Sequence, residues 1–344
     1  MKPVISVIMA VYNAEQFVSD TIVSLQNQTF TEFEVIIIDD ASTDSTYSIL
    51  NRITDSRFIV MRNESNCGLT VNLNKALKIA RGKYIARIDG DDICTVDRLM
   101  IQYNYMENHP YVDILGSNAY LIDANNKIVG VSDEELTNAG IKEKILLLNP
   151  FIHPTVMAKA DVLKDNLYNE NYRTCQDYEL WSRLQNKYTY ETLKKPTIFY
   201  RLNYEGATRS AKNDITKRIC LLTPIIRMNA EAKGISLSDS EISVLLSLVL
   251  QIHSSDDSEV IGAYRKVRNK SLDIQMAFTL VRYFKAKLLL FGEFRILYIG
   301  ICNIFRYYSR IFYIRFCGIK AKENLRSALN SPKKNVSGVS CDGK

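Results

Sequence analysis

Two hydrophobic rhythms alternate along the first ninety residues. Short β-branched runs at 4–11 (VISVIMAV), 34–38 (EVIII), 58–61 and 84–88 read as strands, the first apolar at nearly every position as a strand buried on both faces would be. Between them the apolar positions move to helical spacing. Residues 15–26 carry Phe17, Ile22, Val23 and Leu25, and residues 69–80 carry Leu73, Leu77 and Ile79, with Gly82 expected to stop that helix. Ser42 or Thr43 is expected to cap a short helix through Tyr47, Ile49 and Leu50. Strand–helix alternation predicts an α/β fold: a mostly parallel, Rossmann-like sheet with helices on both faces.

From 93 to 205 the pattern is less regular. A helix is predicted over 98–108, a strand over 111–121 and a turn at 123–126 (Asp-Ala-Asn-Asn). Beyond about 210 the chain turns helical, with 245–252 strongly apolar. From about 280 it becomes aromatic, aliphatic and basic together, and residues 327–344 read as a disordered tail.

Composition adds one asymmetry. The 344 residues carry a net charge of +6, but residues 1–205 hold 21 Lys+Arg against 27 Asp+Glu (net −6) and residues 206–344 hold 23 against 11 (net +12). An acidic half joined to a basic half suggests two tasks in one chain. No run approaches the roughly 18 apolar residues of a membrane span, and Met1-Lys2-Pro3 runs straight into strand-like sequence, so a secretory leader is not expected. Seven scattered cysteines without C-x-x-C, and three histidines without H-E-x-x-H, argue against zinc, a disulfide framework or a histidine triad, and for a reducing cytoplasm.

Polar clusters stand where three strands end: Tyr12-Asn13, Asp39-Asp40 and Asp89-Gly90-Asp91-Asp92. Ligands of open α/β sheets bind beyond such carboxyl ends. Three carboxylates within four residues repel one another, and a divalent cation relieves that repulsion. Oxygen-only ligands favour Mg²⁺ or Mn²⁺, whose shell is usually completed by substrate phosphates. Neither G-x-x-x-x-G-K-[ST] nor a G-x-G-x-x-G after the first strand is present; Ala10-Val11-Tyr12-Asn13-Ala14 stands there instead, which disfavours P-loop NTPases and dinucleotide dehydrogenases.

Taken together, SVIMAVYNAEQFVSDTIVSLQNQTF (6–30), FEVIIIDDASTDST (33–46) and NCGLTVNLNKALKIARGKYIARIDGDD (66–92) resemble the inverting glycosyltransferases of family 2, which have the GT-A fold and of which one group serves bacterial surface polysaccharides. HPTVM (153–157) and CQDYELWSRL (175–184) continue the resemblance to about residue 205. It implies a GT-A catalytic domain over 1–205, with a nucleotide-sugar half to about 98 and an acceptor half from 99; it does not reach the residues after about 205, whose composition reads as a helical, basic, membrane-associating region over 206–326.

The resemblance also implies roles. Ala10 and Tyr12 would contact the nucleotide, Tyr12 packing on uracil; Asp40 would accept the ring N–H, with Asp39 supporting that loop. Asp89 would meet the ribose or the metal's water shell, and Asp91 would hold Mn²⁺ or Mg²⁺ on the diphosphate. Gly90 would leave room for the nucleotide. Asp177 would be the catalytic base, in an element that is Glu-Asp in the family and Gln176-Asp177 here. His153, Gln176, Trp181 and Arg201 would be donor or acceptor contacts. Alternatives stay open: a buried core aromatic for Tyr12, a helix cap for Asp177, core packing for Trp181, an ordinary loop residue for His153 and a surface salt bridge for Arg201, while Asp92 would either support the metal site or cap the following turn.

The implied reaction moves a sugar from a UDP-sugar donor to a hydroxyl of a saccharide acceptor, lipid-linked on a polyprenyl diphosphate, forming a β-linkage. Two other readings are a metal-dependent nucleotidyltransferase, which should show a Gly-rich basic phosphate loop, and a non-catalytic nucleotide-sugar-binding module, which should have lost one of these aspartates. Residues 281–326, with ten Lys/Arg, two acids and interleaved aromatics, suit an anionic membrane surface, placing the protein peripherally on the inner face of the cytoplasmic membrane; nucleic acid is not expected as a partner.

Overall fold

The computed structural model describes residues 2–202 and 215–249. These residues fall in one compact unit, Met1–Asp273. The basic aromatic segment 281–326 and the tail 327–344 lie outside the described residues.

Four parallel strands form the first half of a twisted sheet: β1 (Ile5–Val11), β2 (Phe33–Asp39), β3 (Phe58–Arg62) and β4 (Tyr84–Arg87), in spatial order β3-β2-β1-β4. Every residue of β2 and all but one of β1 are buried, as the continuous β-branched runs require. Odd-numbered positions of β1 and β2, among them Val7, Met9, Val35 and Ile37, join one core cluster with Val18, Ile22 and Leu25 of α1 (Val18–Gln26) and Leu99 and Met106 of α4 (Arg98–Asn108). α3 (Leu69–Ile79) packs over β1 and β2 and buries Leu73, Ala76 and Leu77.

Beyond β4 the sheet is mixed rather than parallel. β8 (Met157–Lys159) runs antiparallel to β4 and to β6 (Ile114–Ile122). The long β9 (Tyr190–Arg201) pairs parallel with β6 and antiparallel with the two-residue β5 (Ile93–Cys94), and β7 (Ile128–Val131) closes a hairpin on β6. This arrangement carries the end of β9, with Arg201, back to the turn that follows β4.

Three local expectations need correction. Neither Ser42 nor Thr43 caps α2, which spans Thr46–Leu50; Asp44 Oδ1 takes the Thr46 N–H (2.9 Å) and Glu15 Oε2 takes that of Ser45 (2.8 Å). α1 also begins at Val18 rather than at residue 15. Gly82 does not stop α3, which ends at Ile79. Instead Gly82 passes so close to β1 that a Cβ there would lie 2.5 Å from the Ser6 nitrogen. Gly90 is also closely packed: a Cβ there would fall 2.5 Å from Val11 Cγ1, so its missing side chain lets the 89–92 turn sit against β1.

After the short α5 (Asn138–Lys144) and α6 (Ala160–Lys164), α7 (Gln176–Leu184) follows Cys175, which is held in the left-handed region at φ +61°. The helix Ile215–Glu231 packs on α7, and the helix Asp239–Val249 packs on that helix in turn. Both therefore belong to the same compact unit as the sheet. No helix among the described residues is long and apolar enough to cross a membrane.

Candidate functional site

β1 and β2 end side by side, Val11 opposite Asp39, and each then enters a left-handed turn, Asn13 at φ 50° and Ala41 at φ 61°. For alanine that conformation costs about 1–2 kcal/mol, and it is held by cross-loop bonds. Asn13 N–H donates to Ser42 Oγ (3.0 Å), Thr43 N–H to Asn13 Oδ1 (2.9 Å) and Ala14 N–H to Thr46 Oγ1 (2.7 Å). Tyr12 projects from this platform 49% exposed, so it is not a core aromatic. Ala10 lies one residue inside the strand, opposite Ile38.

Asp40 is buried and accepts from Asn63 Nδ2 (2.7 Å) and from the Cys67 and Gly68 backbone N–H groups (2.8 Å each). Burial pushes its pKa up, but these donors, with Asn72, outweigh it and hold the carboxyl below its ordinary value. Asp40 thereby ties the 63–68 loop to the end of β2. Asp39 is fully buried and its carboxylate has only an ion pair, 3.2 Å from Arg62 Nε. Arg62 also donates to the Ser42 carbonyl (2.9 Å) and covers the Tyr47 ring.

The turn after β4 brings Asp89, Asp91 and Asp92 together, with one carboxylate oxygen from each within 4.8 Å of the others. Burial and the Asp89 charge push Asp91 up to about 6, against the pull of Arg87 and Arg201. Burial and both neighbouring carboxylates push Asp92 well above its ordinary value. Asp92 Oδ1 accepts the Arg201 N–H (2.8 Å), while its buried Oδ2 has no partner. Crowded carboxylates, an orphaned oxygen and an all-oxygen donor set fit a hard divalent cation.

Arg201 is not a surface residue. Its side chain is fully buried over the Phe17 ring, donates to the Asp91 carbonyl (2.8 Å) and the Asp123 carbonyl (3.1 Å), and pairs with Asp20 at 3.5 Å. It clamps the acidic turn from behind.

Sequence reasoning passed over Arg87. This buried guanidinium points from β4 to Asp89, donating from Nη1 and Nη2 to the two carboxylate oxygens. Its charge is also felt at Asp91, His153 and Asp177. The available signal was a cation in an otherwise apolar strand, two residues ahead of three carboxylates. Asn72 and Asn74 were also missed. Both are buried on α3 but point to different sides: Asn72 meets Asn63 (2.7 Å), and Asn74 holds the Tyr168 backbone through its N–H (2.9 Å) and carbonyl (2.9 Å).

Asp177 sits half-buried in the first turn of α7. Its Oδ1 accepts the Tyr178 N–H (2.9 Å) and its Oδ2 accepts from Asn149 Nδ2 (2.5 Å). Burial pushes its carboxyl above the ordinary value, against those two donors and the Arg87 charge. Gln176 is buried at the helix start. Trp181 is fully enclosed, edge-on to Phe151 (5.7 Å) and His153 (6.1 Å); it packs the core and offers no face to a sugar. His153 is buried in a 3₁₀ turn, its Nε2 2.8 Å from Tyr168 Oη, and burial next to Arg87 keeps it neutral by driving its pKa well below the usual value.

Comparisons with known proteins bear on the family and the fold. A family model described as "Glycosyl transferase family 2" matches residues 6–167. An uncharacterized glycosyltransferase of Methanocaldococcus jannaschii is 36% identical over 207 residues, covering 58% of this chain and 71% of that protein. The Escherichia coli protein WfaP, a UDP-Glc:alpha-D-GlcNAc-diphosphoundecaprenol beta-1,3-glucosyltransferase, is 33% identical over 188 residues, covering 53% of this chain and 70% of its own length. In fold the chain is similar to S. aureus TarS 1–349, solved in complex with UDP-GlcNAc, with a TM-score of 0.55 at 22% identity over 78% of this chain and 80% of that one. With strand-end carboxylates, a GT-A sheet and relatives of this closeness, the chain belongs to glycosyl transferase family 2.

Proposed function

We propose that this glycosyltransferase moves a sugar from a UDP-sugar to a hydroxyl of a polyprenyl-diphosphate-linked saccharide, with inversion, during assembly of a surface polysaccharide. The observation that carries the reading is that the Asp89–Asp91–Asp92 turn and Asp177 lie in the field of one buried guanidinium, Arg87. A carboxylate cluster suited to a cation and a raised-pKa carboxylate thus share one buried positive charge, which supports reading them as the leaving-group side and the base side of one site. The donor and acceptor in the WfaP name support the substrate classes.

Tyr12 offers an exposed ring to the uracil, Ala10 lies beneath it, and Asp40 fixes the loop around the base. Asp91 would hold Mn²⁺ or Mg²⁺, with Asp89 toward the ribose or the ion's water shell. Such an ion neutralises the charge that a departing UDP acquires. Asp177 takes the proton of the acceptor hydroxyl as its oxygen bonds to the anomeric carbon and the bond from that carbon to UDP breaks on the opposite face. One such displacement converts an α-linked donor into a β-linked product. A pKa above the ordinary carboxylate value makes Asp177 a stronger base than a solvated aspartate.

His153 and Gln176 are enclosed beside this base. They and Arg201 serve as supports of the site rather than as direct sugar contacts, and Trp181 as core. The basic aromatic segment 281–326 would hold the enzyme at an anionic membrane where the lipid-linked acceptor resides.

The test is a panel of UDP-sugars with purified protein, Mn²⁺ or Mg²⁺ and a polyprenyl-diphosphate–GlcNAc acceptor. Acceptor-dependent UDP release with a β-configured product by NMR is expected; an α-product, or no transfer with any UDP-sugar, contradicts the proposal. Liposome flotation at low salt tests the membrane part, and no binding to anionic vesicles removes it.

A further inference from the structure

The interface between α7 and the helix Ile215–Glu231 is largely apolar, with Leu222, Ile225, Ile226 and Ala230 buried. Docking alone would need nothing else. Yet Asn229, fully buried, sits at the centre of a polar knot. Its Nδ2 donates to the Ile145 carbonyl (2.7 Å) and its Oδ1 accepts from Gln185 Nε2 (2.7 Å). The same Ile145 carbonyl accepts the Tyr178 hydroxyl (2.8 Å), to which Asn229 Nδ2 also reaches at 3.4 Å.

The positions of these partners are informative. Tyr178 follows Asp177 in the chain and supplies its N–H to the Asp177 carboxylate. Gln185 is the C-cap of the same helix, so α7 is gripped near both ends. Ile145 begins the short segment that reaches Asn149. The Asn149 amide is itself oriented, its Oδ1 accepting the Phe151 N–H (3.3 Å) and its Nδ2 aimed at Asp177. A buried amide that satisfies its polar atoms on two separate segments fixes their relative register, which apolar contacts leave free to slide.

We infer that Asn229 is a positioning residue for Asp177: from a helix beyond the sheet domain it locks α7 against the 145–149 segment and so sets the Asn149–Asp177 hydrogen bond. The inference rests on the assignment of Asp177 as base. It makes the helix Ile215–Glu231 part of the catalytic apparatus without contact to substrate.

The experiment is a double-mutant cycle in the full chain, reading kcat, donor KM and UDP affinity. Asn229→Leu, close in volume, is expected to lower kcat about tenfold, the cost of a small misplacement of a catalytic group, with KM and UDP affinity unchanged. In an Asn149→Ala background the same substitution should add less than about a twofold loss, because coupled residues are not additive. Should Asn229→Leu fail to fold, Gln185→Met, which removes the other arm of the knot, replaces it with the same expectation. A wild-type kcat, a loss carried by KM, or an equal fold-loss in both backgrounds overturns the inference. Asp177→Asn in the same assay separates the two claims: if it retains turnover, the base assignment itself falls; if it is inactive while the cycle is additive, only the role of Asn229 falls.

Discussion

Arg87 and Asp89 form a two-pronged ion pair at the end of β4, with the guanidinium buried beneath the acidic turn and the carboxylate about a third exposed above it. Arg87 is the last residue of β4 and Asp89 lies two residues beyond it, close enough for the guanidinium to reach both carboxylate oxygens. The pair offsets part of the repulsion among Asp89, Asp91 and Asp92. Removing one partner of such a pair leaves an uncompensated charge. Arg87→Met should therefore lower unfolding free energy by on the order of 3 kcal/mol, measured by urea denaturation, and Mn²⁺ should recover part of the loss by supplying positive charge to the same carboxylates. Wild-type stability in the variant would show that the pair contributes nothing.

The Asp91 carboxyl, raised to about 6 in the folded chain against 3.8 for an unperturbed aspartate, makes stability depend on pH in a definite direction. Between those values the folded state binds the extra proton, so stability falls as pH rises from about 4 to about 6. Melting curves in chelator should show this decline superimposed on the other groups. Asp91→Asn should flatten it, and so should saturating Mn²⁺ in the wild type. A decline of equal size in Asp91→Asn would assign it elsewhere.

Asp40 has the opposite character, a carboxylate held ionised by the N–H groups of Cys67 and Gly68 and by Asn63. Asp40→Asn turns an amide toward donors that need an acceptor. A loss of about 1–3 kcal/mol in stability is expected for such an unsatisfied site, together with at least tenfold weaker UDP binding by calorimetry. Unchanged affinity would detach Asp40 from nucleotide recognition.

The parts legible in the sequence are those where one local rule decides. α4 spans 98–108 as predicted, and β1, β2 and β4 fall within a residue of their β-branched runs, because strands covered on both faces must be apolar throughout. The Asp89–Asp91–Asp92 cluster was visible because three adjacent carboxylates have few structural explanations. What escaped depended on segments far apart in the chain. The burial of Arg201 follows from β9 returning beside Asp92, and the cap of α2 comes from Asp44 and Glu15 across two loops. The enclosure of Trp181 could not be read from its helical face, since that face gives a direction and not what lies opposite it: Phe151 and His153, each some thirty residues away. Asn229 lay in a stretch that carried no motif at all.

The central claim is that Asp177 takes the proton of the acceptor. The most direct measurement is turnover of Asp177→Asn with a competent UDP-sugar and acceptor, alongside calorimetry of UDP with Mn²⁺. The substitution preserves shape and leaves the donor site untouched. We expect acceptor-dependent UDP release to fall by at least about a thousandfold, in the range of general-base contributions, while UDP affinity stays within about twofold of wild type. Transfer at a rate near wild type with intact UDP binding would contradict the assignment and the mechanism built on it.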